Sequence, residues 1–200
     1  MSNSFPFLYV GGLTNRAFID EHGQYHAEGK GTVFNDLVVP LTTSKQGANA
    51  KPDYDFTNNG FLFPQNNNTE ILYLIVQLPH SWKEGTTLYP HVHYQQSANT
   101  AVTFKADYKW FNVNAAVPAA WTTITMGTNV FSYVSGNLHQ MAEGDTIAGT
   151  GKTISSILLV KLYRQDNTTT GDVLTFQFDI HYEADTLGSA EKYEKVSTTA

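Results

Sequence analysis

Two stretches of the chain alternate apolar and polar side chains at every second position. In 101–110, Val102, Phe104, Ala106, Tyr108 and Trp110 share one face, while Thr103, Lys105, Asp107 and Lys109 share the other. In 173–182, Leu174, Phe176, Phe178, Ile180 and Tyr182 oppose Thr175, Gln177, Asp179 and His181. A period of two sends neighbours to opposite sides of a pleated strand, so each stretch predicts a strand with one buried and one wet face. The runs 71–78 (ILYLIVQL) and 154–163 are almost continuously apolar and predict strands covered on both faces. Shorter strands are expected at 16–20, at 32–39 before Pro40, and at 61–63, 88–94 and 137–143. About eight short strands punctuated by turn residues predict an all-β chain, a jelly-roll-like antiparallel β-sandwich.

The segments between strands suggest how the domain is bounded. Residues 1–15 hold Phe5, Phe7, Leu8 and Tyr9 around Pro6 and end at Gly11-Gly12, which reads as an edge strand or an arm laid on another subunit. Residues 16–185 are expected to form one sandwich domain, and 186–200 a polar tail that frays or docks as a short turn around 190–195. The longest expected loop is 42–60, rich in Thr, Ser, Asn, Lys and Asp with Pro52 inside it; a connection of that length usually has a function or a partner. Residues 111–130, Ala- and Asn-rich with Pro118, suggest an excursion from the sheet anchored by Trp121 and Phe131.

Composition narrows the partners. Among 200 residues, 12 basic side chains face 18 acidic ones, for a formal net charge of -6, so no strong nucleic-acid surface is predicted. Charged residues are only 15% of the chain, which lowers the repulsion between copies and fits an assembled subunit or a neutral polar surface equally. No cysteine is present, which excludes disulfides and thiolate chemistry. No apolar run approaches the ~20 residues that cross a bilayer, and MSNSFPFLYVGG has neither a basic region nor a long apolar one, so a protein without a membrane segment or an export signal is expected. The threonines, tyrosines and phenylalanines, with glycines and asparagines between them, favour strands and turns over long helices.

The most suggestive local chemistry is Pro90-His91-Val92-His93-Tyr94. On a strand, His91 and His93 share a face and could offer two imidazole nitrogens to one metal ion, an arrangement similar to the histidine pair of cupins. Parity opposes a cupin: Leu88, Val92 and Tyr94 lie on the other face, so an inward apolar side leaves Tyr89, His91 and His93 facing solvent or a partner. No acidic residue follows between Ser97 and Lys105, where the cupin pattern needs one. Tyr89, His91 and His93 are therefore read as an interface stripe, together with Phe5, Phe7 and Tyr9. No residue is assigned to catalysis, to a cofactor or to a metal. His80 is expected to fix its turn, and His181 to pair with Asp179 two residues away. Asp53 and Asp55 share parity but do not by themselves make a glycosidase pair. The segment 149–153, GTGKT, lacks the upstream glycine of a phosphate-binding loop.

The blocks LPHSWKEGTTLYPHVHY, AVTFKADYKWFNVNAAV and FDIHYEADTLGSAEKY resemble a group of small tailed-bacteriophage virion structural proteins, over about 32–195. The resemblance implies a non-enzymatic jelly-roll subunit, a homotrimer that decorates or cements the capsid by contacts with capsid or other virion proteins. It also implies synthesis in the host cytoplasm and residence in the virion, and it supplies no catalytic residue or cofactor. Two alternatives stand beside it: a tail or neck adhesin with a carbohydrate-binding jelly roll, and a cupin-like metal-dependent enzyme.

Overall fold

A computed structural model describes residues 8–195 except 21, 49, 66, 97, 98, 100, 101, 167–170 and 190. Fourteen strands appear among the described residues. They are β1 (Leu8–Gly11), β2 (Arg16–Ile19), β3 (Tyr25–Glu28), β4 (Val33–Pro40), β5 (Lys45–Gln46), β6 (Asp53–Asp55), β7 (Gly60–Phe63), β8 (Asn67–Gln77), β9 (Tyr89–Gln96), β10 (Phe104–Phe111), β11 (Thr122–Asn129), β12 (Leu138–Gly144), β13 (Ile157–Arg164) and β14 (Val173–Ala184). The only helical pieces described are two single 3₁₀ turns, Gly29–Gly31 and Leu41–Thr43. The chain is all-β, with curled antiparallel sheets in a jelly-roll-like sandwich.

The large sheet runs β5-β8-β13-β10-β11-β12-β9-β14-β7-β6, with β4 added beside β14. It curls until its two halves face each other: the Phe104 ring of β10 lies 5.5 Å from Tyr94 of β9 and 6.0 Å from Phe63 of β7. Leu72, Leu74 and Val76 of β8, Leu158, Val160 and Leu162 of β13, and Phe178 and Ile180 of β14 fill the space between. Burying such side chains contributes roughly 1.5–3 kcal/mol each, which is what holds a curled sheet closed. Trp82, fully buried in the turn before β9, packs 5.5 Å from Trp110 and plugs one end. Gly149 is required there, because a Cβ would meet the Thr86 carbonyl and the Trp82 ring.

A second, three-stranded sheet joins β1, β2 and β3. It leans on the sandwich through the Ala27 N–H to Asp185 carbonyl bond and the pairing of His26 with Thr186. Phe5 and Phe7 of the expected N-terminal arm lie outside the described residues; Tyr9 sits in β1, with its side chain outside them.

The alternation in β10 is as expected, with Val102, Phe104, Ala106 and Trp110 buried. Elsewhere the structure corrects the sequence. The 71–78 run is covered on one face only, because Tyr73 and Ile75 project outward from β8. The 111–130 segment is not an excursion: its second half is β11, paired with β10 and β12. Trp121 is half-buried under the ammonium groups of Lys161 and Lys109, at 4.1 and 4.9 Å, whereas Phe131 is exposed and anchors nothing. The 42–60 segment carries β5 and β6, which pair with β8 and β7 at the two ends of the sheet. In β14 a bulge sets two residues against one of β9 between Thr175 and Gln177. Parity changes there, so Thr175, expected on the wet face, is fully buried.

Candidate functional site: a histidine-carboxylate cluster on the outer sheet face

Strands β4, β14, β9 and β12 lie side by side, and their outward face collects most of the chain's imidazoles. The register sets Asp179 opposite His91 and opposite Val38, His181 opposite Asp36, and Met141 opposite His93. Because partners in register share a face, these side chains all point away from the core that Val92, Phe178 and Ile180 enter.

His91 Nε2 stands 2.5 Å from Asp179 Oδ1, and His93 Nε2 stands 3.2 Å from Asp179 Oδ2. The Gln177 side-chain amide donates to Asp179 Oδ2 at 2.9 Å. His91 Nδ1 donates to the Tyr89 carbonyl at 3.4 Å, and His93 Nδ1 is 2.7 Å from His139 Nε2. The His181 ring lies 4.2 Å from that of His91 and turns its own Nε2 to Asp36, 2.8 Å away. His181 thus pairs across to β4 instead of with Asp179, its expected partner on the same strand.

Parity is as read from the sequence, but openness is not. His91 is 2% exposed and Asp179 3%, although both sit on the side away from the core. The rings of His93 and His181 flank His91, 5.0 and 4.2 Å between centroids, and shut out water. His91 is therefore corrected from a surface residue to a buried one, while Tyr89 is exposed and His93 partly so.

The electrostatics follow from that burial. Burial alone would push the Asp179 carboxyl up, but hydrogen bonds and positive charge from His91 and His93 hold it well below the usual carboxylate range. Burial opposes charge on His91, and Asp179 overrides it, so this imidazole is shifted up. His139 is shifted down, by burial and by the neighbouring His93. His91, His93 and Asp179 place one ligand atom each within 4.8 Å of one another, close enough to hold a metal ion. Around this centre the same face exposes Phe34 (60%), Val38 (49%) and Tyr89 (38%), with the Phe34 and Tyr89 rings edge-on at 5.7 Å.

The quoted sequence blocks meet in space. PHVH and FDIH lie on the adjacent strands β9 and β14. The tail returns to the HSW turn, where His80 bridges Ser189 and Ser155 at 2.5 and 2.9 Å. Lys195 Nζ there meets Asp185 and the carbonyls of Ser81 and Trp82. The described part of the tail is docked, without a helical turn.

The remaining candidates are structural. Asp55 Oδ1 accepts from the Thr57 and Asn58 N–H groups and closes a turn, and Asp53 is exposed. Lys152 of GTGKT donates to the Trp110 carbonyl. Asp36 and His139 complete the cluster and were not foreseen as members: each sits on a different strand, and only the strand order brings them to His181 and His93.

No protein-family model matches the chain, and no curated protein does. A solved Clostridium thermocellum structure, the CBM22-1-GH10 modules of endo-1,4-beta-D-xylanase 10B complexed with xylohexaose, aligns over 79% of this chain and 27% of its own, at 11% identity and a TM-score of 0.27. This chain spans about a quarter of the length of that protein. No helix among the described residues is long and apolar enough to cross a membrane.

Proposed function

We propose that this chain is a non-enzymatic structural subunit of a bacteriophage particle, acting through contacts between copies and with the capsid surface. The observation that carries the reading is the outer face of β4, β14 and β9, where Phe34, Val38 and Tyr89 stand exposed around the buried His91–Asp179 pair. Exposed apolar and aromatic side chains gathered on one face mark a surface that another protein covers. The sequence blocks that resemble phage virion proteins supply β9 and β14, the two strands at the middle of this face.

The test is mass in solution by light scattering, followed by imaging of purified virions. A homotrimer that Phe34→Ser combined with Tyr89→Ser converts to folded monomer, together with density for the subunit on the capsid, is the expected result. A monomer at high concentration, absent from the particle, overturns the proposal. Saturable glycan binding by such a monomer would favour the adhesin instead.

A further inference from the structure

We infer that His91, His93 and Asp179 bind one divalent transition-metal ion of the zinc class. The inference goes beyond the virion reading and does not depend on it.

Three observations carry it. The first is the direction of the lone pairs. The Tyr89 carbonyl can only accept, so His91 Nδ1 bears the proton in their bond, and Nε2 is the nitrogen turned to Asp179. His93 likewise turns Nε2 to Asp179 and Nδ1 to His139. Outer partners on Nδ1 that leave Nε2 for the ion are the usual arrangement around metal-bound histidines. The second is Asp179 Oδ1. It is sealed from water and lies 2.5 Å from His91 Nε2. Atoms that close share a positive bridge, the imidazole's own Nε2 proton in the free protein, and a metal ion can take that proton's place. The third is chemistry: two imidazoles and a carboxylate suit zinc, cobalt and nickel, and their three ligand atoms already converge within 4.8 Å.

Metal–nitrogen and metal–oxygen bonds of about 2.0–2.2 Å require ligand atoms roughly 3.3 Å apart, so loading opens the 2.5 Å contact by small side-chain rotations. Water completes the tetrahedron on the side of His93, the more exposed imidazole of the pair. His139 acts as a positioning residue. Without metal, Asp179 holds the His93 Nε2 proton and His139 Nε2–H donates to His93 Nδ1; with metal, that bond reverses and His93 Nδ1 becomes the donor.

The experiment uses the whole purified chain after dialysis against a chelator. Zinc is expected to bind at one ion per chain by equilibrium dialysis and to raise Tm, and Co(II) to give the intense visible absorption of a tetrahedral site. Nitrogen-15 spectra of the imidazoles in the unaltered protein should show His91 and His93 Nε2 moving on zinc addition while the His139 tautomer switches. His93→Gln and Asp179→Asn are expected to abolish uptake, and His139→Gln to weaken it ~10- to 100-fold. Folded wild-type protein that takes up neither ion overturns the inference. So does zinc that leaves the His91 and His93 resonances unmoved, which needs no variant to fold.

Discussion

Two of the buried ionic centres among the described residues differ in how completely their atoms are used. At the end of β13, Arg164 gives Nε and Nη2 to the two oxygens of Asp166, at 2.6 and 3.0 Å, and Nη1 to the carbonyls of Phe63 and Gly171. Asp166 Oδ2 also accepts the Thr103 N–H at 3.1 Å. That centre ties β13 to β7 across the fold. The Asp179 cluster is also buried at His91 and Asp179, yet its carboxylate rests on side-chain donors from His91, His93 and Gln177, and one ligand atom each from His91, His93 and Asp179 lies within 4.8 Å of the others. A saturated buried pair has no capacity left and serves architecture; an unsaturated one keeps ligand atoms in place for something else.

The contrast can be broken most forcefully at Arg164. Arg164→Met leaves Asp166 charged and buried and strands two carbonyls, so a loss of about 3–5 kcal/mol is expected in urea unfolding. A loss below 1 kcal/mol would show that the centre is less dry than its geometry says. Next comes alkali. Tyr94 and Tyr163 are both raised to about 12, by burial in each case, opposed at Tyr94 by its bond to Asn129 and reinforced at Tyr163 by Asp107. Unfolded phenols ionise near 10, so these two stabilise the fold fully below pH 10, and that contribution is lost as pH rises through 12. For Tyr94 it amounts to about 2–3 kcal/mol. Phenolate absorbance from both should appear only with unfolding; earlier titration would contradict their burial.

Asp179→Asn keeps the shape and the link to Gln177 and removes the charge. A metal-free loss of about 1–2 kcal/mol is expected, smaller than at Arg164, from thermal or urea melts. Equality of the two losses would erase the distinction between the centres. The smallest effect belongs to the rim: Phe34→Ser should stay within about 0.5 kcal/mol of wild type in unfolding while it alters assembly mass.

Much of the β architecture was legible because β10 and the second half of β14 alternate cleanly, and the parity of His91 and His93 was read correctly. What was not legible has particular causes. The bulge before Gln177 shifts parity without any mark in the local pattern, so Thr175 was placed on the wrong face. The 71–78 run is as apolar outside as inside, and composition alone could not reveal that Ile75 is left open. The burial of His91 depends on His181, ninety residues later in the chain. Asp36 and His139 joined the cluster through strand order, which alternation does not encode.

Strand β14 pairs along one edge with β9 and along the other with β7 and then β4, so three earlier segments have the same late partner. During synthesis the edges of those segments that face β14 stay unpaired until residue 184 emerges. Chains released before that point expose the edges of β4, β7 and β9 that β14 would cover, so aggregation of truncated nascent products is the natural failure of this topology.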